Sequence, residues 1–366
     1  MAKLWDNLIG HDSRREMLRH AIAKGRLAHT FLFVGPAGIG KRMFAHAVAQ
    51  SLLCERHSEA DLDACGQCSG CKQVAAGTHP DLFQIELPPG KQSLPIELFL
   101  GSEERRGKEG LCYELSLKPM AGGRKIAIID DADTLNDASA NSLLKTLEEP
   151  PPHSLLILVG TTPDAQLPTI RSRCQKLQFA PLTTEQVIEI LIREGIADDR
   201  AQAEAVAPLC DGSVQTASEL LDPQVRSLRE AVYNLLAADG RQRYELAGQV
   251  VEALEEGSDA TEQRKLAGWA IRFAIEFYRG TIWQLGNDGS AATADSPSSI
   301  LHPPPQVTRY TTRFPNHSLD DVDLVGELLE RVFQADSHLQ RNMSPKLCIE
   351  GLFDELTRIE RSRRAK

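Results

Sequence analysis

The stretch that decides the fold reads His29-Thr30-Phe31-Leu32-Phe33-Val34-Gly35-Pro36-Ala37-Gly38-Ile39-Gly40-Lys41-Arg42. Its apolar residues 31–34 predict a buried strand, and apolar residues at helical spacing follow the motif Gly35-x4-Gly40-Lys41. A phosphate-binding P-loop requires this order of strand, loop and helix. Glycines 35, 38 and 40 let the backbone N–H groups face inward, and the helix amino terminus favours an anion. Lys41 is placed to reach the outer phosphates of a nucleotide.

The residue after Lys41 departs from the motif. A P-loop that works with Mg²⁺ has Ser or Thr there as a metal ligand, whereas this chain has Arg42. A guanidinium carries only donors and a permanent positive charge, so it does not bind a cation. The sequence therefore predicts a nucleotide-type loop that has lost one catalytic part. ATP or ADP is a candidate ligand that this chain does not hydrolyse.

Length and charge limit the classes of function. A chain of 366 residues has room for two or three domains. Its net charge of −10 argues against coating nucleic acid over the whole surface. No apolar run approaches the ~18 residues that a membrane span needs, and the first residues lack an apolar signal core. We therefore expect a cytoplasmic protein that makes no membrane contact.

Four of the eight cysteines are clustered, as Cys54, Cys65, Cys68 and Cys71. Overlapping CxxC spacings in a cytosolic chain are typical of a tetrahedral thiolate zinc site, which is closed and therefore structural. An iron–sulfur cluster and unligated or redox-active thiols are the alternatives. His57 is an alternative ligand.

A second apolar strand ends in acids. Lys125-Ile126-Ala127-Ile128-Ile129 runs into Asp130 and Asp131, and a parallel sheet places its ligands at such strand ends. In a working P-loop ATPase the first acid helps to hold Mg²⁺ and the next residue activates the attacking water. The second residue is usually Glu in this class, and Asp131 is one methylene shorter.

Five apolar runs alternate with helical patterns over residues 1–180, which predicts a doubly wound α/β domain with a five-stranded parallel sheet. The zinc module lies within it at 54–71. No strand pattern follows Pro181. We expect a small helical domain at 181–222 and an all-helical domain at 223–366, interrupted by a flexible loop at 286–306.

Taken together, the motifs resemble those of bacterial clamp-loader subunits of the AAA+ ATPase family, over roughly residues 5–220. The resemblance rests on six features: residues 29–33, the loop 35–41, the four-cysteine insert, Asp130-Asp131-Ala132-Asp133, residues 141–150 and Ser172-Arg173-Cys174. It implies that Arg173 is an arginine finger, acting in trans on ATP held by a neighbouring subunit. It also implies that either Thr161 or Thr162 is a sensor of the nucleotide. The helical domain at 181–222 would be the lid of that family, and the domain at 223–366 would be the collar through which the subunits join.

Three departures from the family's active members fall in one site. Arg42 replaces the Mg²⁺ ligand, Asp131 replaces Glu, and Gln215 stands where the ATPase subunits have a sensor arginine in a Gly-Ser-x-Arg pattern. The resemblance therefore implies a stationary subunit without ATPase activity of its own, within the DNA polymerase III holoenzyme.

The partners implied by the family are the gamma/tau ATPase subunits and the delta subunit in a ring of five. Through that complex the chain would act on a sliding clamp and primer–template DNA. One alternative is an active gamma/tau-type ATPase subunit. Another, of a different class, is a zinc-containing DNA-binding regulator built on an AAA+ scaffold.

Overall fold

The computed structural model describes residues 3–121, 123–255, 259–286, 304–314, 317–341 and 343–364. The chain divides into two compact units, Met1–Gly195 with Asp211–Thr216 and Ile196–Cys210 with Ala217–Lys366. The division into three domains at 180 and 222 stays a prediction. Most of the predicted flexible loop at 286–306 lies outside the described residues.

The first unit is built on a five-stranded sheet in which all the strand pairs are parallel. The strands lie in the order β2-β3-β4-β1-β5. Their bounds are β1 Thr30–Val34, β2 Leu82–Ile85, β3 Lys125–Ile129, β4 Ser154–Gly160 and β5 Gln175–Gln178. Strands β1, β3 and β4 are buried along their whole length, as expected of parallel strands covered on both faces. The predicted parallel α/β fold is confirmed.

The strand register decides which residues meet at each edge of the sheet. Val34 pairs with Gly160 across β1 and β4, and Ile129 pairs with Leu158 across β3 and β4. The residues that follow these strands, Gly35, Asp130 and Thr161, therefore leave the sheet at the same edge. The opposite edge receives the chain as it enters β5.

The first unit also contains eight α-helices among the described residues. Their bounds are α1 Asp12–Ala23, α2 Lys41–Leu52, α3 Ser69–Ala75, α4 Glu97–Leu100, α5 Leu111–Ser116, α6 Asp137–Glu148, α7 Pro168–Arg171 and α8 Thr184–Arg193. Helix α2 starts at Lys41, directly after Gly40, whose φ of +95° is in the left-handed region. A glycine adopts this conformation without the strain that a Cβ would cause.

Beyond β5 the described residues form helices, as predicted. Their bounds are α9 Arg200–Val206, α10 Val214–Leu221, α11 Pro223–Ala237, α12 Gly240–Glu255, α13 Ala260–Gly286, α14 Pro305–Thr311, α15 Leu319–Gln340 and α16 Pro345–Arg364. The sequence does not predict α14, since prolines there indicate a loop. Pro305 instead occupies the first helical turn, where a missing N–H costs little. None of the helices within the described ranges is long and apolar enough to cross a membrane.

A buried ion pair lies inside the second unit. Arg243 on α12 meets Glu360 on α16 with 2.6 Å between Nη1 and Oε2, and the Tyr310 hydroxyl donates to Glu360 at 2.7 Å. Because each charged group has a partner, burial of the pair is tolerated. These bonds tie three helices of the unit together.

Candidate functional site

The P-loop lysine is turned back onto its own loop. Lys41 Nζ donates to the carbonyl oxygens of Gly35 at 2.7 Å and Pro36 at 2.5 Å, and only 6% of the residue is exposed. Burial lowers the pKa of Lys41, and the carboxylates of Asp133 and Asp130 oppose that effect. The ammonium is therefore held at the loop, where a phosphate would lie, and its burial is offset by backbone oxygens.

Arg42 joins the loop helix to two other strand ends. Its Nη1 lies 3.1 Å from Oδ2 of Asp130, and its Nη2 lies 2.7 Å from Oε2 of Glu86. Asp130 follows β3 and Glu86 follows β2, so the guanidinium spans neighbouring strands of the sheet. The acid predicted to hold Mg²⁺ is thus paired with a cation of the chain itself.

The two acids after β3 differ in their surroundings. Burial, and then the negative charge of Asp131, raise the pKa of Asp130, although Arg42 opposes them. Asp131 is exposed and has a φ of +51°. Its Oδ2 accepts a hydrogen bond from the Leu87 N–H at 3.4 Å. Of the two, only Asp130 is bound to Arg42.

Asp133, which the sequence does not single out as a site residue, organises the end of β4. Its Oδ2 accepts from the Thr161 N–H at 2.7 Å, and its Oδ1 accepts from Gln166 Nε2 at 2.5 Å. The Thr162 hydroxyl is used differently, as it accepts from the Ala165 N–H and caps a short turn. The third acid of the predicted motif therefore fixes the segment that contains both candidate sensors.

The segment 211–216 packs against the P-loop. The Val214 N–H donates to the Gly38 carbonyl oxygen at 3.0 Å. Gly38 has a φ of +71°, and a Cβ there would lie 2.4 Å from Ser213 Oγ and 2.5 Å from Gln215 Cβ. Only glycine fits, because both the backbone conformation and the close approach exclude a side chain. Gln215 thus lies beside the loop, as its assignment to the sensor position requires.

Arg173 lies at the other edge of the sheet. Strand β5 starts at Gln175, which pairs with Phe31 near the start of β1. The P-loop leaves β1 at its far end, after Val34. With a rise of about 3.3 Å per residue, the strand separates the two edges by roughly 10 Å or more. Arg173 is therefore remote from the P-loop of its own chain.

The guanidinium of Arg173 is held by neighbouring groups. Its Nε and Nη2 both donate to Glu148 Oε1, at 2.9 and 2.5 Å. Its Nη1 donates to the Thr169 carbonyl oxygen at 3.0 Å and to Ser172 Oγ at 3.2 Å. One third of the Arg173 side chain remains exposed. Glu148 is a second residue that the sequence does not single out.

The four predicted metal ligands come together. The sulfur atoms of Cys54, Cys65, Cys68 and Cys71 all lie within 4.8 Å of one another, and those of Cys65 and Cys71 are 3.9 Å apart. Four sulfurs at about 2.3 Å from a zinc ion lie about 3.8 Å apart in a tetrahedron. The donor set and its spacing therefore fit zinc. His57 instead lies against Asp63, with 3.2 Å between Nδ1 and Oδ2.

Backbone N–H groups surround these sulfurs. The N–H groups of Gln67 and Cys68 point at Cys65 Sγ, at 3.5 and 3.3 Å, and lower the pKa of Cys65 to about 6. Burial instead raises the pKa of Cys71. Such N–H bonds orient and stabilise thiolates around a metal. A zinc ion there would cross-link the end of α2 to the start of α3.

Comparison with known proteins agrees with this geometry. The parallel sheet, the loop after β1 and the acids at the same edge define an α/β protein with a P-loop. Residues 10–183 match the family model described as "DNA polymerase III, delta subunit". Over those residues the chain is similar to that family, in agreement with the resemblance of its motifs.

The curated relatives that the chain resembles include delta' and tau subunits of DNA polymerase III. The chain is 38% identical to DNA polymerase III subunit delta' of Pseudomonas aeruginosa over 206 residues, 56% of this chain and 59% of the relative. It is 32% identical to the delta' subunit of Escherichia coli over 222 residues, 61% of this chain and 63% of the relative. Subunit tau of Bacillus subtilis is 30% identical over 60% of this chain and 38% of its own length. The chain thus spans less than two thirds of each of these relatives.

Proposed function

We propose that the chain is a stationary, delta'-type subunit of the DNA polymerase III clamp loader. It contributes Arg173 in trans to ATP bound by a neighbouring gamma/tau ATPase subunit. With those subunits and the delta subunit, it takes part in loading a sliding clamp onto primed DNA. The similarity to delta' and tau subunits supports the complex, and the site supports the role within it.

The observation that carries the proposal is the placement of two arginines. Arg42 binds the acid that a working ATPase uses for Mg²⁺, which argues against hydrolysis at this P-loop. Arg173 lies at the opposite edge of the sheet, which supports a role at a nucleotide other than the one that its own P-loop would hold. A planar cationic fork suits a developing phosphoryl charge, and an arginine finger is worth about 10³–10⁵ in rate at the site it serves.

The test is ATP hydrolysis by the purified chain alone and in a complex reconstituted with the ATPase and delta subunits. We expect no turnover alone, and a complex in which Arg173→Ala silences the one ATPase site beside this chain. Arg171→Ala is the matched control, because Arg171 lies two residues away and pairs with Asp164. A rate unaffected by Arg173→Ala would refute the trans role.

The similarity to tau subunits keeps an active ATPase as the second candidate. Turnover by the chain alone that is lost on Lys41→Ala would favour that candidate and would mean that Arg42 is tolerated. Tight DNA binding by the isolated chain with a steep salt dependence would instead favour a DNA-binding regulator.

A further inference from the structure

We propose that Glu148 is a positioning residue for Arg173, an inference that rests on the trans role of Arg173 proposed above. Glu148 is the last residue of α6, and Arg173 lies between α7 and β5. The two are 25 residues apart in the sequence, and their side chains meet through one carboxylate oxygen. The carboxylate would fix the direction in which the guanidinium faces a neighbouring subunit.

Hydrogen bonds from three nitrogen atoms fix the orientation of the Arg173 guanidinium. Glu148 Oε1 takes the Nε and Nη2 donors, and the Thr169 carbonyl oxygen and Ser172 Oγ take Nη1. An arginine has three or more rotatable bonds, and each bond made in advance reduces the rotamer freedom lost on meeting a phosphate. Pre-orientation of this kind raises the rate of a reaction that depends on geometry.

The held guanidinium keeps the capacity to meet an anion. A guanidinium has five N–H groups, and the four hydrogen bonds seen here use at most four of them. Side-chain exposure is 33% for Arg173 and 51% for Glu148. At least one N–H group is therefore left for an anion while Glu148 holds the guanidinium, and a third of the Arg173 side chain is exposed.

The location of Glu148 argues for a role beyond helix stability. It lies at the carboxyl end of α6, where the helix dipole disfavours a negative side chain. A basic residue would suit that position better for the helix itself. The positive charge of Arg173 offsets the cost, so the carboxylate is explained by the arginine that it binds.

The experiment compares Glu148→Gln with Glu149→Gln in the reconstituted complex. Both variants remove one negative charge at adjacent, exposed positions, but only Glu148 binds Arg173. We expect Glu148→Gln to lower the kcat for ATP by about three- to tenfold at the affected site with KM unchanged. Glu149→Gln should match the unaltered chain, and Glu148→Asp, which keeps the carboxylate, should recover part of the rate.

A second readout concerns the chain alone. The Arg173 Nε–H resonance in a nitrogen-15 NMR spectrum, assigned by its loss in Arg173→Ala, should shift in Glu148→Gln and stay unchanged in Glu149→Gln. If Glu148 had a purely structural role, Glu148→Gln and Glu149→Gln would have the same effect on this resonance. The loss of kcat at constant KM would then not be specific to Glu148→Gln.

The outcomes separate the two proposals. If Arg173→Ala lowers turnover but Glu148→Gln leaves it unchanged or raises it, Glu148 does not position the finger and the trans role stands. If Arg173→Ala itself has no effect, the trans role and the positioning role both fall. A loss in kcat shared equally by Glu148→Gln and Glu149→Gln would assign the effect to charge and overturn the positioning role.

Discussion

Arg42 Nη1 lies 3.1 Å from Asp130 Oδ2, so that a side chain of the P-loop helix binds the acid at the end of β3. In a P-loop ATPase these two positions cooperate through a metal ion, which the hydroxyl of a Ser or Thr and the carboxylate both approach. Here the carboxylate is neutralised directly by a guanidinium. A bound Mg²⁺ ion would have to displace that guanidinium from Asp130.

The first prediction concerns Arg42→Ser, which restores a potential metal ligand and releases Asp130. Thermal unfolding with ADP should show added stabilisation by Mg²⁺ in this variant and none in the unaltered chain. A ligand at 100 times its Kd stabilises by about 2.7 kcal/mol, which such a melt resolves. Arg42→Lys keeps the charge and should behave as the unaltered chain does. Equal Mg²⁺ dependence in the serine variant and the unaltered chain would contradict the role given to Arg42.

The second prediction is that the cysteine cluster holds one zinc ion per chain. Cys71→Ser should reduce the zinc content to near zero, because three thiolates remain for a site built for four. Removal of the metal with a chelator should lower the free energy of unfolding by roughly 3 kcal/mol or more. Metal content by elemental analysis and urea unfolding measure the two effects. Cys112→Ser, outside the cluster, is the control that should keep its zinc.

The third prediction tests how closely the module packs on the P-loop helix. A Cβ at Gly70 would lie 2.4 Å from the Leu53 carbonyl oxygen, so Gly70→Ala forces the backbone apart. We expect a loss of about 1–3 kcal/mol in the free energy of unfolding. Gly326→Ala, in the interior of α15, is the contrast, since nothing lies within 4 Å of a Cβ built at Gly326. This variant should gain up to about 1 kcal/mol in the free energy of unfolding. Urea unfolding measures both changes. If the free energy of unfolding changed in the same direction in both variants, the close contact between Gly70 and Leu53 would be disproved.

The fourth prediction concerns acid stability through Asp63. Its carboxylate meets Lys3 Nζ at 2.9 Å, Arg15 Nη2 at 3.4 Å and His57 Nδ1 at 3.2 Å. Burial acts to raise the pKa of Asp63, but the hydrogen bond from Lys3 and the nearby positive charges outweigh it and hold the pKa below its usual value.

An acid with a lowered pKa in the folded state stabilises the fold above its unfolded pKa, which is about 3.9 for Asp. That contribution is lost as the pH falls through the lower, folded value. Asp63→Asn should therefore be less stable than the unaltered chain near neutral pH, and the difference should shrink below about pH 4. Unfolding free energies measured from pH 6 to pH 3 test this. A constant difference over that range would show that the Asp63 charge is not the cause.

Local patterns in the sequence were enough for much of the molecule. The apolar run before Gly35 predicts β1, the run before Asp130 predicts β3, and the cysteine spacing predicts the thiol cluster. Each of these features depends on residues that lie close together in the chain, so the local pattern of apolar residues and the spacing of the cysteines are enough to predict it. The sequence does not predict the helix at Pro305–Thr311, because a proline near the start of a helix resembles a proline in a loop.

The sequence by itself determined the alternation of strands and helices over the first 180 residues, the P-loop with its altered last position, and the cluster of four cysteines. Only the tertiary structure decided that Arg42 binds both Asp130 and Glu86, and that Arg173 binds Glu148. The physical reason is that hydrophobic periodicity is set by neighbours in the chain. Ion pairs between distant residues depend instead on strand order and register, which bring the ends of separate strands and helices within a few ångströms.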